Sequence, residues 1–591
     1  MPLSNLTPEE LLRVAGFSRP VADNLDRALH VTASPPYVDM RAAPHGVVPN
    51  DPSFAAGNTA AINAAFTALN GSDPVLWLPA GRIYVTRALG SPAITWAIRM
   101  GPTIKRVSVR GQGPFATTLV LIGPGYGGEL NLLTIDGARD ISFSELGFEQ
   151  EFIANPDFPG DHHALVNIVA GTQDTRSIWF HRVRFGPCIG DAFRLVGDGV
   201  VGYQVRDVLL DTFIMETGGH VQGAGGLQKG SRSGISFQRG FDNIVISNGI
   251  IRGAKNSPFE MEPSPLSIGQ NTNVLLSNLI VDNSQGSTRN AASFVGSVNY
   301  PLTGLQVVNM TCVNGGVAIG RAQDVSVSNL HVRVGAGAPS DIANAALVQC
   351  SLRLRNVTFD NTTLVRDVGA PAGPLVTVIP SSDGLHVADG LRFSCGSWVS
   401  RVASGTVGRY FEAVSGNHIT VDGIKLRLEG ATTSEAAITF RSQYSMHGCH
   451  VSNVDIESGA KLARGVYFAG SSGRALTGLR VDRLRAPGAV TTGVEYLQEG
   501  ADLLIDTSPD LRDCDLTGCT NPWVASGLAQ DAVYPVIGGH RGGVCERVGT
   551  VAPEGVVTAP QGSKYLHLAG NSTHLYFKST GTGSSGWTEL A

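Results

Sequence analysis

The most regular feature of the chain is a phrase of alternating apolar positions with a break in its middle: aliphatic, any, aliphatic, any, a turn-forming residue, aliphatic, any, aliphatic. It runs over Ile141–Phe148, Ile178–Phe185, Ile244–Ile251, Val274–Val281 and Leu305–Cys312, and again over Val325–Val332, Leu385–Phe393, Ile419–Leu426, Cys449–Ile456 and Leu479–Ala486. The starts at 244, 274 and 305, and at 419, 449 and 479, lie 30 or 31 residues apart. Each phrase reads as two short strands of period 2 that bury one face. The break, most often Asn, Asp or Gly, tolerates left-handed backbone angles and turns a corner. A third apolar strand accompanies many copies, as in Phe193–Leu195, Ile235–Phe237, Phe259–Met261, Val317–Ile319, Ile438–Phe440 and Val466–Phe468. Three strands and three turns per roughly 30 residues describe one coil of a parallel β-helix, in which stacked coils bury a continuous apolar column. A sandwich or barrel needs hairpins with Asn-Gly or Asp-Gly turns at shorter spacing, so the pattern predicts an all-β solenoid of about a dozen coils.

Composition agrees with that body. There are 73 glycines in 591 residues, about 12% against about 7% in average usage, and only 16% charged residues. Hydrophobic residues at 42% exclude disorder as the main state. The net charge of -5 balances 44 Lys and Arg against 49 Asp and Glu with no basic run, so no nucleic-acid surface is expected. No run of 18 apolar residues marks a membrane insertion. The opening Met1 to Glu10 has neither the basic nor the apolar region of a Sec signal peptide, which predicts a chain not exported by that route. Eight cysteines are too few for a disulfide scaffold, and no CxxC pair suggests zinc. Cys312, Cys395 and Cys449 fall at apolar phases and read as buried core, and the nearby Cys514 and Cys519 are not read as a bridge. No cofactor and no metal are expected.

Outside the repeat, Thr7–Glu10 forms a capping box ahead of Leu11, Leu12 and Val14, and Ser18 opens a second amphipathic stretch, so residues 1–35 read as a short helical leader. The segments Val38–Gly46, Asn58–Phe66, Val75–Val85 with its "LPAG", and Val107–Gly113 with its "RGQG" follow. Together they resemble the opening of the pectate-lyase-like superfamily as found in bacteriophage tailspikes: a strand, a capping helix near 58–69 with Thr59 as its N-cap, then the first coils. Where that family shows an acidic Gly-Asp-Gly turn, Val47–Gly57 departs from it and reads as a loop variation. Gly562–Leu568, Leu575–Lys578 and Gly581–Trp587 resemble the small β module that ends many tail-fibre and tailspike chains. The resemblance implies a right-handed single-stranded parallel β-helix over 36–530 and a C-terminal module over 531–591 serving trimerisation or glycan binding. It further implies a homotrimer held by a phage tail or baseplate adaptor, located in the virion tail, which depolymerises a bacterial capsular or lipopolysaccharide glycan.

On the third strands the aliphatics point inward and the intervening residues outward. The outward set includes Thr134 and Asp136, Arg194 and Val196, Ser236 and Gln238, and Glu260 and Glu262. Only one coil sets two carboxylates side by side, in Asn256–Pro263, a phrase that resembles the "Gly-Ile-Asp-Ile-Glu-Pro" of many tailspike depolymerases. Residues i and i+2 of a strand lie about 6.6 Å apart at the backbone, which suits a glycosidase acid and base or nucleophile, retaining or inverting. Glu260 and Glu262 are therefore the catalytic candidates. Arg252, Lys255, Asp282, Gln238, and His220, Asp211 and Glu216 of a long Gly-rich loop between Asp211 and Gly234 are the substrate-binding ones. Asp161-His162-His163 reads as a loop with exposed histidines rather than a metal site, and Arg182 and Arg184 as a surface ladder. Two alternatives share the scaffold: a polysaccharide lyase with His220 or Lys255 as base, and a receptor-binding spike without catalysis.

Overall fold

The computed structural model describes residues 37–87, 95–122, 130–151, 163–198, 201–217, 232–261, 271–286, 288–297, 299–380, 388–405, 408–444, 446–470, 476–498, 510–516, 519–526, 536–537, 546–549, 552–556, 561–569, 572–581 and 584–590. The helical leader expected over 1–35 lies outside them. The chain is an all-β parallel solenoid of about 11 turns, with a short helix near its N-terminus and a small antiparallel sheet near its C-terminus. It divides into two compact units, one reaching to Ser326 and the other taking in Ala343–Ala591.

In the first unit the phrases stack residue on residue: Ile141 pairs with Ile178, Ile178 with Val208, Val208 with Ile244, Ile244 with Val274 and Val274 with Leu305. One coil had no match in the sequence template. Val208–Met215 turns its corner at Thr212, with φ 53°, where the template asks for Asn, Asp or Gly. The corners come in pairs five residues apart, at Asn243 and Asn248, at Asn273 and Asn278, and at Gly304 and Asn309, all with φ between 54° and 70°. Asparagine suits this site twice over, because it tolerates the left-handed region and its amide can bond its neighbour on the next coil. Asn278 donates to Asn248 (3.0 Å) and Asn309 to Asn278 (3.0 Å).

The interior is apolar and aromatic. Phe143 stacks on Phe180 with centroids 4.9 Å apart and Phe148 on Phe185 at 5.4 Å, while Phe237, Phe259 and Phe294 pack edge to face.

The end of the column is closed by helix α1, Ala55–Ala68, which buries Ile62, Ala65 and Phe66. Thr59 is not its N-cap: the helix starts four residues earlier, after the 3-10 turn Pro52–Phe54 capped by Asp51. The Thr59 hydroxyl instead donates to the carbonyls of Ala55 and Thr86 and accepts from the Thr86 N–H. Asn63 bonds the Ala97 carbonyl and the Arg99 N–H, and Asn70, just beyond the helix, does the same for Thr103 and Lys105. These amides satisfy strand edges that would otherwise invite another chain.

The second unit repeats the scheme: Val357 pairs with Leu391, Phe393 with Val421, Val421 with Val451, and Val451 with Val481. The phrase expected at Leu385–Phe393 is therefore displaced, its coil running from Leu391 to Trp398 with Cys395 at the corner (φ 50°). Cys395 is exposed rather than core, because the corner residue points away from the apolar column, whereas Cys312 and Cys449 are buried. Lys564–Ala569, Ser572–Lys578 and Trp587–Leu590 form the antiparallel C-terminal sheet.

Candidate active site

The third strands of the first unit form a ladder. β1 (Asn131–Asp136), β2 (Ala164–Ala170), β3 (Asp191–Gly197), β4 (Ile235–Arg239), β5 (Phe259–Met261) and β6 (Asn290–Val295) pair in parallel, each with the next. Their inward residues carry the core and their intervening residues form one row: Thr134, Asn167, Arg194, Ser236, Glu260 and Ser293. Successive members stand about 4.8 Å apart, so Thr134 and Glu260 are about 19 Å apart along the row.

Strand alternation predicts that this row points outward. It is nevertheless covered: Thr134, Asn167 and Arg194 are at most 7% exposed and Ser236 is 1% exposed. Thr134 Oγ1 and Asn167 Oδ1 in the row, and both carboxyl oxygens of Asp191 at the start of β3, are buried without a well-formed hydrogen bond among the described residues. Such atoms are costly to bury unless something bonds them.

Glu260 stands in this row with its side chain 18% exposed. Its Oε2 accepts from the Ser233 hydroxyl (3.0 Å) and lies 3.5 Å from Arg232 Nη2. Gln238 lies on β4 beside it and accepts from Arg194 Nη2 (2.9 Å). Asp191, at the start of β3, went unnoticed in the sequence. It is wholly buried, and that burial pushes its carboxyl up to about 7 despite the opposing charges of Arg232 and Arg194; the neighbouring Glu260 adds to the rise. The chain reaches this position by a close approach. Gly190 passes so near the backbone of His163 that a Cβ would sit 2.0 Å from its carbonyl oxygen, and Asp191 N–H donates to that oxygen (2.8 Å).

The other expected site residues divide into groups. Glu216, Arg252 and Asp282 are in register on neighbouring coils, at the ends of Val205–Glu216, Phe241–Arg252 and Asn271–Asp282. There Arg252 is ion-paired to Glu216, and Asp282 accepts from Ser284. Asp211 lies earlier on the strand that ends at Glu216, before the corner at Thr212: burial works against its ionisation, but hydrogen bonds from His181, Ser247 and Asn248 outweigh it and hold the carboxyl below the usual range. Asp211 and Glu216 are thus strand residues and not parts of the long loop, because the coil the template missed runs through Glu216. Lys255 lies in the bend leading to β5. Glu262, His220, Asp161 and His162 lie outside the described residues. His163 is buried rather than exposed, its Nδ1 accepting from the Leu130 N–H (2.8 Å). Arg182, more than half exposed, pairs with Glu145 (2.9 Å) as a surface ladder would, whereas Arg184 and Glu149 (2.5 Å) form a largely covered pair. No cluster of His, Cys, Asp and Glu suited to a metal occurs among the described residues.

Comparison with known proteins finds no family model and no curated protein that matches this chain. Solved structures do match. The catalytic unit of an alpha-1,3-glucanase from Streptomyces thermodiastaticus aligns over 72% of this chain and 69% of its own, at 13% identity and a TM-score of 0.45. A DFA-IIIase from Arthrobacter chlorophenolicus aligns over 80% and 100%, at 12% identity and a TM-score of 0.38. The A-module of a mannuronan C-5 epimerase from Azotobacter vinelandii aligns over 85% and 100%, at 13% and 0.29. At these values the assignment of residues rests on the geometry of the third-strand row.

Proposed function

We propose that this chain is an enzyme that cleaves a polysaccharide along the third-strand row, with Glu260 at the point of reaction. The observation that carries this reading is the row itself. Thr134 Oγ1 and Asn167 Oδ1 are buried, lack partners among the described residues and stand in register on the approach to Glu260. A glycan would meet this polar row at Glu260, whose side chain stays 18% exposed, and a ligand rich in hydroxyls suits its carboxylate and the Ser233 and Arg232 beside it better than an apolar one.

Within this reading, Glu260 and Glu262 are the paired carboxylates of a glycoside hydrolase. One is protonated and gives its proton to the departing glycosidic oxygen, while the other, ionised, activates water or attacks the anomeric carbon. Ser233 and Arg232 hold Glu260 Oε2 in place from 3.0 and 3.5 Å. The finer reading follows the resemblance of the opening and closing segments to tailspikes. It makes the protein a phage tailspike depolymerase, homotrimeric, carried in the virion tail by an adaptor protein, and acting on capsule or lipopolysaccharide.

Incubation with capsular and lipopolysaccharide glycans, followed by size analysis and mass spectrometry, tests this. Shortened chains whose new ends carry the elements of water are the expected products. Unsaturated ends would replace hydrolysis by the lyase reading, and intact glycan that nevertheless binds would leave only a receptor-binding spike. Light scattering on the same sample should give three times the mass of one chain; the mass of a single chain would remove the trimer.

A further inference from the structure

We propose that Asp191 is a positioning residue of this site, a buried second carboxyl that acts on the reaction through the charge of Glu260. The inference rests on the reading of Glu260 given above, and deepens it with a residue one would not choose from the sequence.

The geometry has three parts. Asp191 is wholly buried, and its carboxyl lies by the Ser236 hydroxyl without a well-formed hydrogen bond among the described residues. The groups that act on it come from its own strand and its neighbours: Arg194 on β3, Ser236 on β4, Glu260 on β5, and Arg232 in the segment leading into β4. His163, in the segment before β2, meets it through its backbone carbonyl. Arg232 is shared, because it also lies 3.5 Å from Glu260 Oε2.

A carboxylate buried without well-formed hydrogen bonds is expensive, and the less costly state keeps the proton. Burial accordingly moves Asp191 up to about 7, opposed by Arg232 and Arg194 and reinforced by Glu260. Below that pH Asp191 is neutral, and Arg232 and Ser233 serve Glu260 alone. Above it the Asp191 proton passes to solvent, a second negative charge stands near Glu260, and the two compete for Arg232. The site thus carries one negative charge fewer below about 7 than above it, where Glu260 must share Arg232 with a second carboxylate.

The linkage can be measured without any glycan. An unfolded Asp releases its proton near 3.9, so the folded protein binds one proton more between about 4 and about 7, and Asp191 lowers stability as the pH rises across that window. Urea unfolding of the wild type, Asp191→Asn and Glu260→Gln at a series of pH values reads this directly. Relative to wild type, Asp191→Asn should lose that decline, and Glu260→Gln should move its midpoint to lower pH, since the like charge is gone. A Glu260→Gln curve whose midpoint stays at the wild-type value would overturn the coupling, as would an Asp191→Asn curve that keeps the decline. Should Asp191→Asn not fold, Ser236→Ala serves instead. It removes a group that favours the ionised form and should shift the midpoint upward; no shift would count against the proposal. Where glycan cleavage is observed, Asp191→Asn should also extend activity to higher pH than wild type. A wild type that cleaves no glycan would defeat the reading of the site, while the unfolding curves still decide the coupling.

Discussion

Glu260 and Asp191 come to the same patch by different routes, and only one of them was visible in the sequence. Glu260 sits between Phe259 and Met261, where period 2 turns a polar residue outward. Asp191 opens β3 next to a glycine, at the inward phase of Phe193 and Leu195 where alternation predicts an apolar residue, and the close approach of Gly190 to His163 fixes the backbone there. A charged residue directly ahead of the apolar Ala192 and Phe193 was the available cue, and it is a weak one. Gly190→Ala tests the approach, because its Cβ would sit 2.0 Å from a backbone oxygen that has no flexible end to swing away. The expected cost is about 1–3 kcal/mol, as for overpacking elsewhere, seen as a lowered urea midpoint. An unchanged midpoint would mean that the backbone moves freely at Gly190 and that Asp191 is not held by it.

At the scale of elements, the apolar phrase was legible because burial and corner geometry act on the same residues. Ile141, Ile178, Ile244, Val274 and Leu305 were all recognised as starts, and all stand in one register. The coil at Val208–Met215 escaped because Thr212 takes a left-handed angle that the neighbouring pairings impose on it rather than one it prefers. Cys395 misled for the same reason: it looks apolar in sequence and turns a corner in the fold. At Asn278 preference and imposition agree, with φ 54° and a bond to each neighbouring asparagine. Asn278→Gly keeps the angle and loses the bonds, and Asn278→Ala loses both. The alanine variant should therefore be less stable than the glycine variant by about 1–2 kcal/mol in chemical unfolding. Equal stabilities would show that the corner is not under this constraint.

Across the whole chain, the excess of glycine and the scarcity of charge follow from one architecture. Positive-φ glycines such as Gly304, Gly390, Gly423, Gly448 and Gly478 occupy corner positions, and the apolar phases of every coil leave few places for charge. What composition could not indicate is that the third-strand row is covered. Its polar residues alternate with core residues just as on an open strand. The central claim is that a polysaccharide is cleaved in this row at Glu260, and the most direct measurement compares wild type with Glu260→Gln on a glycan that the wild type shortens, with the fold of both checked by circular dichroism. The account predicts that the variant stays folded and loses activity by about 10²–10⁴-fold, the usual contribution of a positioned acid or base. A folded Glu260→Gln protein that releases oligosaccharides at the wild-type rate would contradict it.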